Sequence, residues 1–234
     1  MNIKTVIVLL TVWIIIYSIL NKYEKVKSKI KLYLRKNFND YEEKKWARLV
    51  SSWYDFFPLV ILIFLDKYQL KEVFSIKVNI LHLLLLGVMG FFASITLTTI
   101  VLDLFHYLFG YEYSAMNEVR WMKQVRKIGL IFGIMAALSE EFFIRYLIPK
   151  LLYIENKDTN FFIIALSVTS LIFIVLQMFY VESDRARFVK AIAGISISVV
   201  SIMLIIATDS VIPSMIMHGS YAYLFLNKNR ENSK

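Results

Sequence analysis

No cysteine occurs anywhere in the 234 residues, which excludes disulfides, thiol nucleophiles and thiolate metal sites. It does not fix a compartment, because a helical membrane domain needs no covalent staples. Proline is scarce at three residues and glycine at seven, so the chain has no room for a long flexible linker. Charge is also sparse, at 19% of residues, below what a soluble domain of this length carries. There is no internal repeat and no low-complexity tract. What fills the chain instead is apolar: 58% hydrophobic and 15% aromatic residues, with a mean hydropathy of +0.60. This composition predicts one polytopic membrane protein rather than a soluble domain.

Apolar segments long enough to matter are 5–20, 78–102, 128–153, 161–181, 191–206 and 211–226. A seventh, 56–65, is short for the ~20 residues of a span unless Trp53 and Tyr68 extend it. The first segment lacks a basic leader and a small-residue cleavage site, so it is expected to be an anchor helix rather than a cleaved signal peptide. Seven spans with the N-terminus outside place segments 21–54, 103–127, 182–190 and the tail from Asn227 inside. Those segments hold ten, four, three and three Lys/Arg, twenty of the twenty-seven in the chain. The net charge of +9 therefore sets orientation in a cell membrane and does not suggest nucleic acid as a partner. The expected fold is an all-α, multi-pass transmembrane helical bundle of about seven spans.

The organisation that follows has four parts. Residues 1–55 form an N-terminal anchor helix and a basic cytoplasmic juxtamembrane segment, and residues 56–124 add further spans and loops. Residues 125–226 form a core that carries the polar groups, and residues 227–234 a cytoplasmic tail. In the basic segment, Tyr23, Val26, Ile30, Leu34 and Tyr41 fall near helical spacing among lysines. That segment is either an amphipathic helix lying on anionic lipid or a solvated loop that only sets orientation.

The span 128–153 contains "LSEEFFIRYL", with Glu140, Glu141 and Arg145 among apolar neighbours. Ionisable groups at bilayer depth cost at least a few kcal/mol each and mark function by default. In an α-helix Glu141 and Arg145 are i, i+4 neighbours and pair on one face, while Glu140 points about 100° away. Glu141 is then neutralised by Arg145, and Glu140 is left for general-base work in an apolar cavity. The competing view is a buried ion pair beside a simply protonated second glutamate. Gln177 and His218 add polar groups to two later spans. His218 is either a proton carrier and hydrogen-bond donor or a residue that joins helices. Helical rise places Glu140 about 20 Å, Gln177 about 8 Å and His218 about 15 Å from the inner ends of their spans, so all three can line one cavity. His82 and His106 are expected as interfacial residues near the two ends of the third span, and Asp103 and Asp209 at loops or interfaces.

These residues resemble the CPBP intramembrane proteases, which include the CAAX prenyl-protein endopeptidases and bacteriocin self-immunity proteins. That family carries Glu-Glu-x-x-x-Arg, Phe-x-x-x-His and His-x-x-x-Asn/Asp on separate helices. The first is complete here as Glu140-Glu141-Phe-Phe-Ile-Arg145; the second reads Phe173 to Gln177 after Ser170, and the third His218 to Ala222 after Pro213. The resemblance implies that Glu140 activates a water and that His218 stabilises the oxyanion. Gln177 can orient a water but cannot take a proton, and Ala222 removes one oxyanion donor. A zinc, if any, would have only Glu140 and His218 as strong ligands, short of the three that catalytic zinc takes. The expected function is metal-independent cleavage of a peptide or membrane-protein substrate, without a cofactor. The alternative is a weakened relative acting as a membrane regulator, scaffold or bacteriocin-immunity protein. The Glu-Glu-x-x-x-Arg motif favours the first.

Overall fold

The computed structural model describes residues 3–22, 62–63, 65–74, 76–110, 134–135, 137–179 and 184–231, with Tyr33 and Lys36 as isolated positions. Every regular element among them is helical. Apart from residues 21–22, 33 and 36, the basic segment 21–54 lies outside the described residues, as do most of the short span 56–65 and the start of the span 128–153. The chain divides into two compact units, Met1–Lys71 and Glu72–Lys234. In the first, helix α1 (Ile3–Lys22) buries Val6, Leu10 and Trp13 on one stripe. A short helix, α2 (Lys67–Val73), follows.

The second unit carries the polar core. Helix α3 (Ile80–Phe109) opens with the Asn79 side chain accepting from Leu81 N–H at 2.8 Å and ends at Gly110 in the left-handed conformation. A π-helical turn (Glu140–Leu147) leads directly into α4 (Ile148–Asn156). Then come α5 (Thr159–Phe179), α6 (Asp184–Thr208) and α7 (Ile212–Glu231), whose second residue is Pro213. Proline at a helix start is tolerated because its missing N–H would have no intrahelical partner there.

Three of these helices are long and apolar enough to cross a membrane: Ile80–Phe109, Thr159–Met178 and Arg187–Thr208. They correspond to the expected spans 78–102, 161–181 and 191–206. Lys4–Ile16 is a shorter apolar helix, and the expected last span falls on α7. Helix α3 runs seven residues beyond the expected boundary at Leu102, because nothing breaks it before Gly110. Asp103 therefore sits on helix, not in a loop, and His106 near the helix end, as expected.

Helix α3 packs against α6 and α7, α6 against α5, and α5 against α4 and the π-helical turn. The shared core is Phe173, Ile197, Leu204 and Met217, one or two residues from each of α5, α6 and α7. Small residues bring the helices close, since lipid offers no hydrophobic force to press them together. A Cβ added at Gly87 would lie 2.7 Å from Ile216 Cβ and 3.1 Å from the Pro213 carbonyl oxygen. At Gly90 it would meet Leu204 Cδ1 at 2.8 Å.

A polar clasp fastens one end of the unit. The Asp209 carboxylate, in the turn after α6, accepts from buried Lys150 at 2.5 Å and from Lys77 at 2.7 Å. The Tyr146 hydroxyl donates to the carbonyls of Val73 (3.1 Å) and Asp209 (3.3 Å). Partial burial pushes the Asp209 carboxyl up, but its bonds and charge attraction to Lys150 and Lys77 outweigh this and hold it below its ordinary value. The same bond raises Lys77. The clasp ties the π-helical turn and α4 to the α6–α7 turn, and so sets the depth at which their side chains meet.

Candidate active site

Residues Glu140–Leu147 adopt a π-helical turn rather than the α-helix expected from sequence. A π-turn bonds i to i+5 and is wider than an α-turn, a form that appears mostly as single turns inside α-helices. Flanking helix at Ala137–Ser139 and at Ile148 makes this such an insertion. All eight residues except Phe142 are buried.

Glu141 is a saturated hub. Its Oε1 receives Arg145 Nη1 at 2.6 Å, with both side chains fully buried. Its Oε2 receives the hydroxyls of Ser201, at 2.8 Å, and Ser214, and the two serines also touch each other. His218 Nδ1 lies 2.9 Å from Oε1, off the line that a well-aligned hydrogen bond requires. Groups from three elements thus converge on one carboxylate: Arg145 from the π-turn, Ser201 from α6, and Ser214 and His218 from α7. Burying that charge is tolerable because it is paired and hydrogen-bonded.

Arg145 is also covered by the second motif. Its Cζ stands 3.7 Å over the Phe173 ring, and that ring meets the His218 imidazole edge-on at 5.3 Å. A cation over an aromatic face is attracted by the ring quadrupole, more so away from water. Phe173 therefore caps the guanidinium and sets the plane of His218. Arg145 Nε and Nη2 and the Ser170 hydroxyl have no hydrogen-bond partner among the described residues.

Glu140 has a different environment. Gln177 Nε2 donates to its Oε2 at 3.2 Å, so the second motif reaches the first glutamate and not the second. The Lys190 ammonium, on α6, also attracts the Glu140 carboxylate. The sequence places Lys190 among the loop charges that orient the chain; in the structure it lies inside helix α6.

The structure thus sorts the candidate residues into two adjoining groups. Glu140 and Gln177 form one; Glu141, Arg145 and His218 form the other, supplemented by Ser201 and Ser214. His218 contacts Glu141. Ala222, one turn beyond His218, offers a methyl group where an amide would be a donor. The two serines had no sequence signal beyond being polar in apolar helices, a common filler pattern.

A catalytic zinc does not fit this donor set. Both Glu141 oxygens are already occupied, Gln177 supplies a weak amide donor, and His218 faces the Glu141 carboxylate. Among the described residues no three His, Cys, Asp or Glu side chains group closely enough to hold a metal.

Residues 124–224 match the model of the Rce1-like family, described as type II CAAX prenyl endopeptidase Rce1-like. That range holds all three motifs and every residue of both groups. No curated protein and no solved structure matches the chain. The matched segment, the motifs in their order and the helices long enough to span a bilayer agree with one another, and residues 124–224 are similar to the Rce1-like family of type II CAAX prenyl endopeptidases.

Proposed function

We propose that this protein is an atypical, metal-independent intramembrane endopeptidase that uses Glu140 to cleave a membrane-associated peptide or protein. The observation that carries this reading is the division of labour between adjacent glutamates. Glu141 is bound by Arg145, Ser201 and Ser214, whereas Glu140 is held by the Gln177 amide at 3.2 Å. A carboxylate oriented by an amide can accept a proton from water. The hydroxide so formed attacks the scissile carbonyl carbon, and the proton passes from Glu140 to the leaving amine as the C–N bond breaks. His218, held beside Glu141 and edge-on to the Phe173 ring, would present its other ring nitrogen to the carbonyl oxygen as the oxyanion forms.

A second reading has its own support. Gln177 and Ala222 both depart from the family pattern, and His218 is engaged with Glu141, so the same cavity would suit a regulator or immunity protein that binds peptide without cutting it.

The purified chain in lipid nanodiscs, mixed with membrane-associated peptides and analysed by mass spectrometry, separates the two. Cleavage should vanish in Glu140→Gln, survive a chelator, and rise in Gln177→His/Ala222→Asn, since one oxyanion donor is worth about 10²–10³ in rate. A Glu140→Gln variant that keeps its cellular phenotype, with no cleaved product from the parent chain, would establish the binding role instead.

A further inference from the structure

The first glutamate of the motif sits in an apolar bundle, and the motif arginine that feels its charge is hydrogen-bonded to the other glutamate. Arg145, the cation of the motif, bonds to Glu141. The second motif, which ends in an imidazole elsewhere in the family pattern, ends here in a neutral amide. The fold brings a cation from outside the motifs. Helices α5 and α6 approach closely at Gly194, where an added Cβ would lie 3.6 Å from Ile174 Cα. From that crossing toward the α5–α6 connection, Gln177 lies about 4.5 Å further along α5 and Lys190 about 6 Å further along α6. The two therefore reach the same level of the bundle, and Gln177 marks that level by its bond to Glu140.

The neighbours of Lys190 fix its direction. Val189 and Ile192 belong to the cluster with Leu102, Phe105 and Phe188, so that side of α6 faces α3. Lys190 leaves the helix on a different side, is half-buried, and its ammonium interacts with the Glu140 carboxylate. The groups set around Glu140 are then Gln177 from α5, Lys190 from α6, Arg145 and Glu141 from its own turn, and His218 from α7 by way of Glu141. Two carboxylates thus face two cations: Arg145 bonds to Glu141 and also feels the charge of Glu140, and Lys190 adds a second cation on the Glu140 side.

We infer that Lys190 is a positioning residue for Glu140: its ammonium on α6 keeps the first glutamate a charged, oriented carboxylate where Gln177 supplies only a neutral hydrogen bond. This rests on the reading of Glu140 as the base, yet its first test does not depend on proteolysis. Infrared spectra of the full chain in nanodiscs at neutral pH report protonated carboxyl groups directly. Lys190→Met should add a carboxylic C=O band that the parent chain lacks and that Lys190→Met/Glu140→Gln removes again. Lys190→Arg should add none. Should Lys190→Met fail to fold, Lys190→Gln carries the same expectation with a polar end. Where cleavage is measured, Lys190→Met should lower kcat at least tenfold with KM little changed, and Lys190→Arg should restore most of it. The appearance of the band without any cleavage by the parent chain would uphold Lys190 and overturn the protease reading. A Lys190 variant with no Glu140-dependent band overturns the inference, as does a cleaving variant with unaltered kcat.

Discussion

At the scale of single residues, the two glutamates predict opposite mutant behaviour. Arg145→Ala strands the fully buried Glu141 carboxylate, and breaking such a pair costs ~3–5 kcal/mol. Glu140→Gln keeps shape and hydrogen-bonding capacity, so it should lose activity but little stability. Thermal unfolding in detergent checks this: Arg145→Ala should give markedly less folded protein than Glu140→Gln. The pair itself was legible, because i, i+4 spacing survives whether the turn is α or π. Gln177 was legible as the second-motif position. The hub around Glu141 was not, since Ser201 and Ser214 look like any small polar residue and only packing shows that both point at one carboxylate. Lys190 was hidden by proximity to Arg185 and Arg187, which made it look like part of a charged loop.

At the scale of elements, contacts that carry no chemistry decide whether the site assembles. Helix α7 holds Ser214 and His218, and it is set against α3 by the bare backbone of Gly87. Gly87→Ala should cost ~1–3 kcal/mol through overpacking, because the added methyl meets a branched Cβ and a carbonyl that cannot swing aside. Gly90→Ala should cost less, since its obstacle is the far end of the Leu204 side chain. Unfolding midpoints of the two variants give the order. The clasp at Asp209 adds a pH dependence. Its carboxyl lies below the ordinary value of 3.8 in the folded chain, so the unfolded chain takes up this proton first as pH falls. The clasp's stabilisation is then complete above about pH 5 and is lost as pH drops through the folded value. Asp209→Asn should flatten the acid side of the Tm-against-pH curve; an unchanged acid side would show the clasp to be idle. Apolar periodicity located α5 and α6 but not the π-turn, because a one-residue widening leaves no composition mark.

At the scale of the whole molecule, the distribution of basic residues predicts orientation. Twenty of twenty-seven Lys/Arg fall in segments assigned to one side, so reporter fusions after Lys45 and at the C-terminus should both report cytoplasm. An external signal at either position overturns that topology. The all-helical class was legible from composition alone, whereas the end of α3 was not: a helix continues through polar residues until something stops it, and only Gly110 does. That length has its own consequence. Thirty residues make α3 about 45 Å long, against a hydrocarbon layer of about 30 Å. Its stretch before Asp103 is already as long as the layer is thick, so the final turns, with Phe105, Tyr107 and Phe109, reach headgroup level, where aromatic rings settle. Among the described residues, most of this helix is left uncovered by protein. Membrane thickness thereby becomes a variable acting on the bundle: a thinner bilayer tilts α3, and α3 carries the Gly87 contact that seats α7.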